Sequence, residues 1–369
     1  MSADDPLHPA QVAARVVAVA GALGDRPGPL TLELYPTLAC NLDCAFCDTT
    51  DRHRKPVGEL SAERLLELVD EAAAMGCKRV FVLGGGEPLL RRDVVPALFV
   101  RAKALGMEGI LTTNGTLLHG ALAQTLCDIG WDEVHISVDG ATPAVHDALR
   151  GQRGAFRRTV QNACRLRRLR DAAGRRHPRL AVHTVITNRN HTEVAEILRL
   201  AHALGAFRVD FDGLIAYTPE QQAFALSAAE RLTLAEVAAA ALPLAAALGL
   251  ATTLERFTAP EAPNRGERLP AAPAAPGLHG APCLKAWHYL VVQADGRSSP
   301  CCVLAGEGGS AAAQSLQALW SSDPFLQRVR EGMAQGRPLP RCRECSPNIL
   351  AHEALIRAHL PEGPHWPST

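Results

Sequence analysis

Between Leu30 and Leu214 the chain passes six times from a short strand-like apolar run to a longer segment with helical spacing. This alternation restricts the fold more than any other feature. The strand-like runs fall at 30–35, 79–83, 109–113, 133–138, 180–186 and 208–214. Helical segments fall at 61–75, 94–105, 117–129, 155–171 and 192–204; Ser61 stands where an N-cap belongs, with Glu63 in the first turn. Strands alternating with helices imply a parallel sheet joined by right-handed crossovers. Six units are too few to close an eight-stranded barrel, so the expected class is α/β, an open partial (β/α)6 TIM-like barrel. A helix at 9–23 precedes it, and the apolar window 234–254 reads as one long helix. That window is broken by Glu236, Pro243 and Gly249, which makes it a surface or interdomain helix rather than a membrane span. The expected organisation is an N-terminal helical extension at 1–29, a core at 30–215, a helical segment and connector at 216–282, and a small module at 283–369.

In folds of this kind chemistry gathers where the strands end. Every predicted strand ends in residues able to do some. The first leads to Cys40, Cys44 and Cys47, spaced C-x3-C-x2-C, and the second to Gly84-Gly85-Gly86-Glu87-Pro88. The later ones lead to Thr112-Thr113-Asn114-Gly115, Ser137-Val138-Asp139-Gly140, Thr187-Asn188-Arg189-Asn190 and Asp210-Phe211-Asp212-Gly213. Three thiols differ from four in one respect: four close a zinc or iron-sulfur site, whereas three leave a metal position open for another ligand. Taken alone, the array suits zinc as well as iron, and the glycine stretch suits a plain tight turn.

Charge and cysteine count narrow the setting. Lysine plus arginine and aspartate plus glutamate both number 38, so no net field attracts nucleic acid or an acidic membrane. Eight of the eleven cysteines are grouped, near Cys40 and from Cys283 to Cys345, which favours metal over disulfides. Asp4 and Asp5 stand where a signal peptide would carry basic residues, so a cytoplasmic location is expected. Cys77, Cys127 and Cys164 fall singly on predicted helices or their ends and read as buried, inert thiols.

The three-cysteine loop, with Phe46 just before its third cysteine, and the Gly-Gly-Glu-Pro stretch one unit later resemble the radical SAM superfamily. The resemblance covers 30–214. It implies a [4Fe-4S] cluster held by Cys40, Cys44 and Cys47, its remaining iron chelated by S-adenosyl-L-methionine (SAM). It also implies a cofactor surface made by Phe46, Gly85, Gly86, Glu87, Asn114, Ser137, Asp139 and Arg150. Gly85 and Gly86 let the backbone approach, Glu87 receives the methionyl ammonium, and Ser137 and Arg150 hold the ribose or the carboxylate. The chemistry implied is reductive cleavage of SAM and hydrogen abstraction by a 5′-deoxyadenosyl radical, with a flavodoxin or ferredoxin as reductant.

After a proline- and alanine-rich connector at 259–282, Cys283, a strand at 289–293, a turn at Ala294-Asp295-Gly296, Cys301 and Cys302 follow, and then Cys342 and Cys345. This order resembles the twitch module, the half-size relative of the SPASM module. The resemblance implies one auxiliary [4Fe-4S] cluster bound by Cys283, Cys301, Cys342 and Cys345, with Cys302 competing for the place of Cys301; a four-cysteine zinc site is the alternative. Four thiolates leave no iron open to substrate, so the cluster is expected to pass electrons and the net reaction to be an oxidation. Asp210 and Asp212 share a strand face, and His183 sits similarly on its neighbour; these are candidate catalytic residues. The expected substrate is a small polar molecule of sugar, aminocyclitol or nucleoside type. Radical maturation of a ribosomally made peptide is one alternative, and a non-catalytic zinc or electron-transfer protein the other.

Overall fold

A computed structural model describes residues 7–22, 26–47, 58–216, 218–260, 277–344 and 347–362. The predicted alternation is present. Strands β1 (Thr31–Leu34), β2 (Arg79–Val82), β3 (Glu108–Thr113), β4 (Glu133–Ser137), β5 (Arg179–Ile186) and β6 (Ala206–Gly213) lie side by side and parallel. Helix α1 (Pro9–Gly21) precedes them. The crossovers carry α2 (Ala62–Ala74), α3 (Val95–Ala104), α4 (Gly120–Asp128), α5 (Pro143–Leu149), α6 (Ala155–Ala172) and α7 (Val194–Leu204). After β6 come α8 (Pro219–Gln222) and α9 (Ala228–Ala247), and after the connector α10 (Leu316–Ser322), α11 (Pro324–Ala334) and α12 (Pro347–Arg357). Ser61 caps α2 by accepting from Arg64 N, and Glu63 lies in its first turn, both as expected.

The sheet runs β7-β6-β5-β4-β3-β2-β1-β8-β9, with β7 at Ala251–Thr252, β8 at Tyr289–Val292 and β9 at Ser298–Ser299. It is open at both ends, as six units require. β8 pairs parallel with β1, so the hairpin of the C-terminal module extends the barrel sheet and brings that module against the first strand. Gly296, at φ +85°, closes the hairpin where the Ala294-Asp295-Gly296 turn is expected.

The window 234–254 is not one helix. Gly249 at φ +67° ends α9, and the chain turns directly into β7, whereas Pro243 is accommodated inside the helix. Helix α5 was not anticipated, although Thr142 accepting from Val145 N and Pro143 at the first turn are ordinary start signals.

The two faces of the sheet differ in chemistry. Val80, Val82, Val134, Ile136, Val182, Val209 and Phe211 are all but fully buried between strands and helices, where they join Leu65, Leu68, Leu98 and Phe99 in one continuous core. The other face bears Arg79, Glu108, Glu133, His135, Ser137, His183, Asp210 and Asp212, aligned by strand register. His183 is on a central strand yet keeps 34% of its side-chain surface, so this face borders an open hollow rather than a packed interior.

Candidate cofactor site

Cys40, Cys44 and Cys47 line one cavity of about 160 Å³ with Gly84, Gly85, Gly86, Glu87, Asn114, Ser137 and Arg150. The ends of β1, β2, β3 and β4 and the segments after them supply all of these but Arg150, which comes from the end of α5, so the rim gathers them as the strand-end rule predicts. The cysteine loop is held from both sides. Asp43 N and Ala45 N donate to the carbonyls of Arg150 and Leu149 at 3.1 Å, and Cys47 O accepts from Gln221 at 3.0 Å. At the loop's start, Glu59 accepts from Thr37 Oγ1 at 2.6 Å and from Leu38 N at 2.9 Å.

Gly86 shows why the turn needs glycine. A Cβ there would stand 1.9 Å from the carbonyl oxygen of Ala39, next to Cys40. Gly86 N and Glu87 N instead donate to Thr37 O and Ala39 O at 3.1 and 2.8 Å, stitching the two loops together.

Glu87 is buried and its carboxylate is heavily engaged. It accepts from Leu89 N at 3.1 Å, Thr113 Oγ1 at 2.7 Å and Asn114 N at 2.8 Å. Burial raises its pKa against these hydrogen bonds. In this structure Glu87 braces the rim while one edge borders the cavity. Asn114 donates to Asn41 Oδ1 at 3.0 Å and accepts from Thr116 N at 2.9 Å, tying the third strand's turn to the cysteine loop.

Arg150 lies at the end of α5 with Nη2 2.5 Å from Asp139 and Nη1 3.6 Å from Cys44 Sγ. Burial works against its charge, but Asp139 and the cysteines more than compensate and raise its pKa. Two expected cofactor contacts are placed differently. Asp139 is fully buried behind Arg150, accepting from Val185 N at 2.8 Å, and does not border the cavity. Phe46 packs in a small apolar cluster with Leu149, Leu214 and Ala216, its ring centroid 5.8 Å from the Arg150 guanidinium carbon. Asp139 is drawn inward by the need to neutralise a buried arginine, and Phe46 by apolar neighbours on one side of its loop.

The donor set fits an iron-sulfur cluster. Burial pushes the Cys40 thiol up to about 11 and raises Cys44 as well. Thiolates there need cationic compensation, which bound iron provides.

A second cavity, apolar-walled, is bordered by Cys283, Cys301, Cys342 and Lys285. Cys302 is exposed and lies outside that lining, whereas Cys301 borders it. Cys345 lies outside the described residues. None of the ten described cysteines forms a disulfide; Cys77 and Cys127 are buried, and Cys164 partly so.

On the open face His183 Nε2 is 2.7 Å from Asp212 Oδ2, with Arg256 Nη1 3.8 Å from Asp212 Oδ1. Partial desolvation lowers the proton affinity of His183, but the bond to Asp212 outweighs it and the net pKa is raised. Asp210 is taken by Arg208 Nε at 2.8 Å. Sequence reasoning missed Glu59 and Gln221, which brace the cysteine loop from distant segments and belong to no motif, and Asn41, which ties the loop from within to Asn114 and Thr116.

A partial barrel thus gathers three thiols and a glycine turn at one rim, with a second thiol cavity beside its first strand. A radical SAM superfamily profile matches residues 34–201, and a profile for the SPASM iron-sulfur cluster-binding domain matches 283–346. The chain thus carries a radical SAM domain followed by a SPASM domain, and its cofactors are a [4Fe-4S] cluster, SAM and auxiliary iron-sulfur. It is 34% identical over 185 residues to the AdoMet-dependent heme synthase of Methanosarcina barkeri, 50% of each chain. It is 36% identical over 185 residues to the mycofactocin maturase MftC of Mycobacterium tuberculosis, 49% of this chain and 44% of that protein. The chain spans about half the length of the curated relatives it matches. Among solved structures, Streptococcus suis SuiB bound to S-adenosylmethionine superposes with a TM-score of 0.63 at 18% identity, covering 83% of this chain and 68% of that one. Native anSMEcpe with bound AdoMet and Kp18Cys peptide gives 0.60 at 15% identity, covering 90% and 96%. At these identities the two structures share a fold with this chain.

Proposed function

We propose that this chain is a radical SAM oxidoreductase that takes a hydrogen atom from a small polar substrate in the barrel hollow and completes a net two-electron oxidation. The observation that carries this reading is the hollow's lining. Toward the strand ends, Asp210 pairs with Arg208 and Asp212 with His183, and His183 stands level with Ser137 of the cofactor cavity on the same sheet face. Paired charges that remain partly hydrated offer hydrogen bonds of both kinds to a polar ligand and little to an apolar one.

The cluster and SAM, when bound, supply the deoxyadenosyl radical that removes the hydrogen atom. Cys40, Cys44 and Cys47 are the ligands we assign to that cluster, Gly85 and Gly86 would give SAM close backbone approach, and Arg150 and Ser137 would hold its polar groups. After hydrogen abstraction the substrate must lose one proton and one electron. His183, hydrogen-bonded to Asp212 on that face, is the group we assign to take the proton. Cys283, Cys301 and Cys342, with Cys345 as fourth ligand, are suited to a closed auxiliary cluster that takes the electron. A flavodoxin or ferredoxin is the reductant we assign. The cytoplasm is the location we assign, because reduced thiols are maintained there. No helix among the described residues is long and apolar enough to cross a membrane.

A second reading, maturation of a ribosomally made peptide, has a specific support. The mycofactocin maturase is among the curated relatives, and SuiB bound to its precursor peptide SuiA superposes with a TM-score of 0.64.

The deciding experiment measures 5′-deoxyadenosine from SAM by anaerobically reconstituted, reduced protein, with and without polar small molecules or precursor peptides. Formation that vanishes in Cys40→Ala, Cys44→Ala and Cys47→Ala supports the radical reading, and the compound that accelerates it names the substrate class. No 5′-deoxyadenosine from protein with verified clusters, under any addition, refutes it.

A further inference from the structure

Two cavities meet at Lys285. One is the thiol cavity of Cys283, Cys301 and Cys342, whose walls are otherwise apolar, with Val303, Leu304, Val329 and Met333 among them. The other, of about 220 Å³, is bordered by Tyr289 and by Thr31 and Arg79 at the start of the first two strands. Lys285 lines both. Its Nζ stands 3.9 Å from the centroid of the Tyr289 ring, and Tyr289 Oη donates to Glu33 Oε2. Glu33 is 5% exposed, and its other carboxylate oxygen is buried without a hydrogen-bond partner. An ammonium at the cluster cavity, an aromatic ring and a buried carboxylate therefore stand in a row from the thiols to β1.

A lysine at a surface carries its charge out to water. This one is held over a ring, beside a cavity whose apolar walls screen a charge poorly. Accepting an electron adds one negative charge to an iron-sulfur cluster, so a fixed positive charge nearby favours the reduced form.

We propose that Lys285 sets the reduction potential of the auxiliary cluster, its ammonium favouring uptake of one electron from the barrel side, and that Glu33 opposes it from behind Tyr289. Only an electron moves in this step; no bond to the protein forms or breaks. The proposal rests on the auxiliary-cluster part of the reading above and on no particular substrate. Lys285 acts through the cluster, so it is a positioning residue for charge rather than a catalytic one.

The test uses the full chain with Cys40→Ala, Cys44→Ala and Cys47→Ala, so that only the auxiliary cluster is reconstituted, and follows its midpoint potential by EPR-monitored redox titration without substrate. Adding Lys285→Met is expected to lower the reduced-to-oxidised ratio at a fixed poise by about tenfold, equivalent to about 59 mV for one electron. Lys285→Arg is expected to keep the parent potential, and Glu33→Gln to raise it. If Lys285→Met fails to load iron, the sign of the Glu33→Gln shift decides alone. An unmoved midpoint in fully loaded Lys285→Met, or a midpoint unmoved or lowered in Glu33→Gln, overturns the proposal. A parent that binds no iron strikes down the auxiliary-cluster assignment and this proposal with it. A wrong substrate assignment would leave every one of these measurements unchanged.

Discussion

Replacing Gly86 with alanine tests the claim that the glycine turn positions the cysteine loop. The added Cβ would stand 1.9 Å from Ala39 O, 2.5 Å from Ala39 C and 2.6 Å from Leu38 C, all backbone atoms that cannot swing aside as a side chain would. Relief requires the two loops to part by about 1 Å. That movement stretches the bonds from Gly86 N to Thr37 O and from Glu87 N to Ala39 O, now 3.1 and 2.8 Å. Overpacking costs about 1–3 kcal/mol and each of the two weakened buried hydrogen bonds about 1 kcal/mol, giving a loss of about 3–5 kcal/mol. The control is Gly106→Ala. Gly106, unlike Gly86, has a positive φ, +72°, but open space around its Cβ position, so it costs only about 1–2 kcal/mol of backbone strain. Denaturant unfolding of the apo-proteins measures both losses, and iron content after reconstitution measures the site. Gly86→Ala is expected to unfold at lower denaturant than Gly106→Ala and to bind less iron, whereas Gly106→Ala keeps the iron content of the parent. A Gly86→Ala protein with parental stability and full iron would refute the reasoning, because the loops would then have room that the distances deny.

Asp139→Asn removes the partner 2.5 Å from a buried arginine and is expected to cost about 3–5 kcal/mol, read by denaturant unfolding, because the Arg150 charge is left uncompensated. His146 is buried, and its Nδ1 accepts from Asp139 N at 3.2 Å. Burial first, and the Arg150 charge second, lower its pKa to about 4. A folded pKa below the unfolded value means stability present above about 6.5 and lost as pH falls toward 4, up to about 3 kcal/mol, so apo-protein stability measured against pH should flatten across that window in His146→Gln. Glu133 acts in the same direction at lower pH. Burial raises its pKa, but His135, Arg208 and Arg179 prevail and bring it down to about 2, so its contribution fades below about 4.5, and Glu133→Gln should weaken the further loss of stability toward pH 2. Cys301→Ser is expected to abolish auxiliary-cluster iron and Cys302→Ser to retain it, as iron analysis and absorbance would report, because of these two neighbours Cys301 alone borders the thiol cavity.

What could be read from the sequence depended on how local each determinant was. The barrel strands could be read, because residues such as Val80, Val82, Val209 and Phe211 announce burial through spacing within one segment. The rim could be read for a related reason: in a parallel sheet the strand ends fall together, so Cys40, Gly86, Asn114 and Ser137 share a cavity although nearly a hundred residues separate the first from the last. The pairing of β8 with β1 could not, because an apolar tetrapeptide carries no address and its partner lies some 250 residues away. Nor could the orientation of Asp139. Its place in a Ser-x-Asp-Gly turn suggested a ligand contact, yet the charge it must answer is Arg150 on the next helix, and burying a guanidinium without a counter-charge costs more than giving up one contact to a ligand. The same reasoning applies to Lys285. In the sequence it is one lysine among 38 basic residues; β8 pairing with β1 sets Tyr289 beside Thr31 and brings the thiol cavity to the edge of the barrel, and in that position its charge can matter to an electron.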